Sequence, residues 1–84
     1  MLHNENKSLL REKISIFNQI TDQNTKMVFM KEILAEIYPR CGEAILYRPY
    51  LDDHLYFSCD GYFYFKFIRD DMGKLKDFHI EEIL

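Results

Sequence analysis

Tyr62-Phe63-Tyr64-Phe65-Lys66-Phe67-Ile68 alternates with period two, and that alternation decides the fold. Side chains on a strand point to opposite faces in turn. Phe63, Phe65 and Phe67 therefore make a purely apolar face, and Tyr62, Tyr64, Lys66 and Ile68 an amphipathic one. Aromatic residues suit such a pleated, half-buried surface. Upstream lies Cys59-Asp60-Gly61-Tyr62. Asp-Gly between two apolar runs predicts a two-residue type I′ hairpin turn, which needs positive φ at both central positions. That turn pairs Cys59 with Tyr62, Phe57 with Tyr64, Tyr56 with Phe65 and His54 with Phe67.

Downstream, Asp70-Asp71-Met72-Gly73 signals a second turn. A four-residue loop with Gly73 in the left-handed region pairs Arg69 with Lys74, Phe65 with Phe78, Phe63 with Ile80 and Lys66 with Asp77. A three-residue loop sets Phe67 against Asp77 and mixes the faces, so the hydrophobic pattern selects the longer one. The resulting meander has an inner face of Tyr56, Phe63, Phe65, Phe67, Phe78 and Ile80. Its outer face carries Leu55, Phe57, Cys59, Tyr62, Tyr64, Lys66, Asp77, His79 and Glu81.

Working back toward the N-terminus, residues 1–7 are polar and read as frayed. A helix is predicted from about Ser8 to Ile20, with Leu9, Leu10, Ile14, Phe17 and Ile20 at helical period and Ser8 or Asn4 as N-cap. Thr21-Asp22-Gln23-Asn24-Thr25 stops it and caps a second helix from about Gln23 to Tyr38. Met27, Met30, Ile33, Leu34, Ile37 and Tyr38 form the buried stripe of that helix, and Pro39 ends it. Ala44 to Tyr50 reads as a further strand that Pro49 confines to a sheet edge. Helices followed by strands describe a single α+β domain over residues 1–84: two N-terminal helices on one face of a three- to four-stranded antiparallel meander.

Eighty-four residues, 48% of them hydrophobic and including seven Phe and six Tyr, describe one globular unit, not a disordered chain. A chain this short builds a two-layer core without a deep enclosed cavity, which directs attention to its surfaces. Eleven basic residues are scattered among fourteen acidic ones for a net charge of −3, which disfavours duplex nucleic acid. Two cysteines, Cys41 and Cys59, read as small apolar thiols in a reducing, cytoplasmic setting. No apolar run approaches bilayer-spanning length, so no membrane contact is expected. The abundance of Lys, Asn, Ile and Phe is that of AT-rich coding, as in low-GC bacteria and their phages.

Catalytic and metal constellations are wanting. Cys41, His54, Cys59 and His79 lack the short Cys-x-x-Cys or His-x-x-x-His spacing of zinc sites, so no metal is expected. A Cys59–His79 pair shares a face two strands apart, beyond hydrogen-bond reach. Asp52-Asp53, Asp70-Asp71 and Glu81-Glu82 are loop or alternating strand acids, and glycines at 42, 61 and 73 make no phosphate loop. Neither an enzyme nor a cofactor is expected.

The outer aromatic face remains. Leu55, Phe57, Tyr62, Tyr64, Lys66 and His79 are the candidate partner-binding residues, with aromatic rings at the centre and charges at the rim. Gly61 to Phe67 loosely resembles an RNA-recognition strand, but the element order is not β-α-β-β-α-β and the charge is acidic. The expectation is a small non-enzymatic interaction module, of the inhibitor or adaptor kind that phages and mobile elements carry. Its partner would be another protein or a second copy. Single-stranded nucleic-acid binding through the same face is the alternative. An apolar face left in water is an association liability, unless the 44–51 segment folds over it. If the face is open, Tyr64→Asp abolishes association and spares the fold.

Overall fold

The computed structural model describes residues 4–48, 50–59, 61 and 63–82. Two helices, α1 (Asn4–Gln19) and α2 (Gln23–Ile37), precede a 3-10 turn at Pro39–Cys41. Four strands follow: β1 (Ile45–Leu46), β2 (Leu55–Ser58), β3 (Phe63–Arg69) and β4 (Leu75–Glu82). They form one antiparallel sheet in chain order, β1-β2-β3-β4. This is the predicted α+β architecture in its four-stranded form.

Leu10, Ile14 and Phe17 of α1 fall on one helical stripe, and Met30, Ile33, Leu34 and Ile37 supply that of α2. Both stripes join the sheet's phenylalanines in one core. Asp22 is the N-cap of α2; its carboxylate accepts from the Thr25 N–H at 2.8 Å and the Thr25 hydroxyl at 2.7 Å. The first helix starts at Asn4, a turn earlier than Ser8, so residues 4–7 are helical and not frayed; residues 1–3 lie outside the described chain. Asn6 there donates from Nδ2 to the Ile37 carbonyl at 3.0 Å, tying the start of α1 to the end of α2. No helix among the described residues is long and apolar enough to cross a membrane.

The β2–β3 register differs from the predicted one by a single residue, with large consequences. Leu55 pairs with Phe67, Phe57 with Phe65 and Ser58 with Tyr64. A one-residue slip turns every side chain of a strand over. Leu55 and Phe57 therefore enter the core beside Phe63, Phe65 and Phe67, and Tyr56 leaves it. The cause is the burial available to each face. Two wholly apolar side chains gain more under the helices than one tyrosine whose hydroxyl needs a partner. Gly61 keeps the positive φ, 86°, that the turn signal called for. Asp60 and Tyr62 lie outside the described residues.

On the other side of β3 the predicted pairing is displaced by two. Phe67 faces Phe78, Phe65 faces Ile80 and Lys66 faces His79. An even slip preserves the faces, so Phe78 and Ile80 point inward as expected. A bulge absorbs the difference: Ile68 pairs with Asp77 but Arg69 with Leu75, leaving Lys76 as the extra residue. The bulge turns Leu75 into the core, where it is 3% exposed. The turn between β3 and β4 is held by Asp70, whose Oδ1 accepts from the Met72 and Lys74 amides at 2.9 and 3.0 Å.

Candidate functional site

The outer face of the sheet is not an open patch. Tyr47, just beyond β1, donates its amide to the Tyr56 carbonyl at 2.9 Å and lays its ring 5.2 Å from that of Tyr64. The Tyr50 ring lies tilted 6.0 Å from Tyr56, and Tyr56 sits 5.7 Å from Tyr64. Tyr47 and Tyr50 thus cover the face with their rings. Tyr56 is left 2% exposed and Tyr64 4%. A second, tyrosine-built core lies on the side opposite the helices.

Two carboxylates satisfy the buried hydroxyls. The Tyr56 hydroxyl donates to Asp52 Oδ2, and the Tyr64 hydroxyl to Glu81 Oε2. Burial, reinforced by the negative charge of Asp52, pushes the Tyr56 phenol well above its ordinary value. For Tyr64 the bond to Glu81 acts first, then Tyr50 and burial, in the same upward direction. Asp52 is held below the usual carboxylate range, chiefly by the Tyr56 hydroxyl. Lys66 Nζ lies 5.8 Å from the centre of the Tyr56 ring.

A raised phenol binds its proton more tightly in the folded state. Its contribution to stability is therefore full below the unfolded value of about 10 and is lost as pH climbs above it. Absorbance titration of the phenolate band should show Tyr56 and Tyr64 silent until the chain unfolds in alkali. A single transition at the ordinary value for all six tyrosines would refute the cluster.

Of the candidate residues, the structure leaves only part of the set on the outer face. Leu55 and Phe57 are in the helix-facing core, the direct result of the one-residue register shift. Tyr62 lies outside the described residues. Tyr64 is on the expected face but buried, so Tyr64→Asp would place a charge in an apolar cluster and destabilise the fold, not probe a surface. Lys66 is half-buried and His79 exposed, paired across β3 and β4. The alternative that the 44–51 segment folds over the face is what Tyr47 and Tyr50 do, whereas the roles of Asp52 and Glu81 as partners of the buried hydroxyls were missed. The signal for that cover was present in two tyrosines, Tyr47 and Tyr50, on a short segment next to a strand whose outer face is itself aromatic.

Cys41 and Cys59 are not thiols but a disulfide, which ties the 3-10 turn after α2 to the residue following β2. Neither sulfur is a nucleophile or a metal ligand in that state, and Cys59 sits against the core and not on the face of His79. His54 is also engaged: its Nδ1 accepts from the Arg69 amide at 3.1 Å, which leaves Nε2 to carry the proton of the neutral ring. Arg69 donates from Nε to the Asp53 carbonyl at 2.6 Å and from a terminal nitrogen to the Gly73 carbonyl at 2.9 Å. These bonds join the β1–β2 and β3–β4 loops along a groove of about 570 Å³ that also takes in Leu46, Arg48 and Asp71. Arg69 thus braces the two loops against each other. Among the described residues no three His, Cys, Asp or Glu side chains gather as a metal site would require.

Exposed apolar side chains concentrate on one rim of the sheet. Ile45 is 63% exposed and Tyr50 58%, with Leu46 and the fully exposed Leu51 beside them in sequence. Arg48, Asp52 and Asp53 line the adjoining hollow with Tyr50 and Leu51. The sequence matches no family model, and no curated protein or solved structure is similar to it.

Proposed function

We propose that this chain is a small non-catalytic protein-interaction module, an inhibitor or adaptor, whose contact surface is the β1 rim. The observation that carries this reading is the clustering of Ile45, Leu46, Tyr50 and Leu51, all exposed, within seven consecutive residues. Apolar and aromatic side chains at a centre with Arg48, Asp52 and Asp53 around them have the composition of a protein contact. A two-residue edge strand adds unpaired backbone that a partner's extended chain can meet. The single-stranded nucleic-acid alternative has less support, because, of the rings expected to stack on bases, Phe57 is in the helix-facing core and Tyr64 is buried against Tyr56.

The disulfide supports an oxidising location over the cytoplasmic one that the composition suggested, since such bonds are rare where glutathione keeps thiols reduced. The test is affinity capture with the wild type and with a Leu51→Asp, Ile45→Lys variant. Both positions are exposed, so melting temperature and circular dichroism should not move. Loss of two central apolar contacts should weaken the captured complex by about tenfold or more. A complex of undiminished affinity would rule out the rim.

A further inference from the structure

The opposite edge of the sheet is open, and its geometry can be read residue by residue. The Arg69 amide points toward β2, to His54. Backbone groups alternate along a strand, so Phe67 and Phe65 also face β2, and Ile68, Lys66 and Tyr64 face β4. Their partners Asp77, His79 and Glu81 face back. Leu75, Phe78, Ile80 and Glu82 consequently turn their N–H and C=O groups away from the sheet, along the edge of β4.

The two ends of that edge are treated differently. At Leu75 it is closed: Asn18 accepts from the Leu75 amide at 2.9 Å and donates to its carbonyl at 2.8 Å. The Phe78 amide is covered by the Asp77 carboxylate at 2.8 Å. From the Phe78 carbonyl through Ile80 no partner is present among the described residues. Beside this stretch lies a hollow of about 290 Å³ lined by Lys7, Arg11, Phe78, His79 and Ile80. An unpaired apolar strand edge is a template for another strand.

We propose that the open half of β4 pairs antiparallel with the same segment of a second copy, continuing the sheet through a two-fold axis at Ile80. Registers that keep inward residues opposite inward ones are those with Phe78, Ile80 and Glu82 in the hydrogen-bonded positions. Centring on Phe78 would run into the bulge and the Asn18 clasp. Centring on His79 sets Asp77 against Glu81, two like charges. Centring on Ile80 avoids both. It places His79 opposite Glu81 of the second copy, twice by symmetry, and leaves the ion pair of Arg11 with Asp77 within each copy intact. The contact is isologous and closes as a dimer. It lies across the sheet from the β1 rim, so either surface can fail without the other.

Sedimentation of the wild type at increasing concentration should reach a mass of twice the chain's 10.2 kDa. Ile80→Pro removes an amide that serves only the open edge, and should weaken dimerisation at least tenfold. His79 is exposed, which makes it a probe that spares the fold. His79→Glu opposes two like charges across the axis and should weaken the dimer, and His79→Lys should tighten it. A wild type that stays monomeric, a dimer indifferent to Ile80→Pro, or equal effects of the two His79 substitutions would overturn the proposal. A monomer that instead takes up an extended acidic peptide at β4 would also overturn it and give the edge to another occupant.

Discussion

Phe57→Ala lowers the stability of this domain by about 3–5 kcal/mol, the cost of emptying a buried phenylalanine site. Phe57 is fully buried, with its ring 6.2 Å from that of Phe67, and it sits under the helices in the same core as Leu10 and Leu34. A chain of this length has only roughly 4–13 kcal/mol in total, so the variant is close to unfolded at moderate temperature. Tyr56→Phe, one residue away, removes only the hydroxyl bond to Asp52 and costs about 1 kcal/mol. Urea denaturation of the two variants reads the β2–β3 register directly. Had the Asp-Gly turn kept two residues, Phe57 would lie on the outer face and Tyr56 in the core. A mild Phe57→Ala effect together with a neutral or stabilising Tyr56→Phe would mean that register.

Reduction of the Cys41–Cys59 bond is the second large effect. The bond closes a separation of 18 residues that spans β1 and β2, and it links the helical layer to the sheet. Opening it restores loop freedom to the unfolded chain at a cost of about 3 kcal/mol. For a domain of this size that corresponds to a fall in melting temperature on the order of 10–20 °C. Cys41→Ser, Cys59→Ser and the double variant should fall together, because removing the second cysteine breaks nothing further. Reductant should shift the wild type to the same point and leave the variants unmoved. A wild type whose melting ignores reductant would show that the bond contributes nothing.

The core phenylalanines were legible in the sequence for a reason that survives errors of pairing. Phe63, Phe65 and Phe67 have period two, and Phe78 and Ile80 keep it on the next strand, so the even displacement of β4 changed partners without changing faces. The candidate surface was not so protected. Its membership depended on one residue more or less in the β2–β3 turn, and local turn preference at Asp60-Gly61 lost to the burial of Leu55 and Phe57. Nor could Tyr64 be recognised as buried from its own strand. Its cover comes from Tyr47 and Tyr50, whose position depends on β1 pairing with β2.

By itself the sequence determined the element order, the split into a helical layer and an antiparallel sheet, and which face of β3 meets the helices. These follow from periodicity and from capping at Asp22, which act over a few neighbouring residues. Tertiary structure alone decided the β2 register, the second core of tyrosines, the Cys41–Cys59 bond and the open half of β4. Each of these joins or separates residues distant along the chain. Their outcome is set by competition for burial and hydrogen-bond partners among assembled layers, and no local pattern encodes that competition.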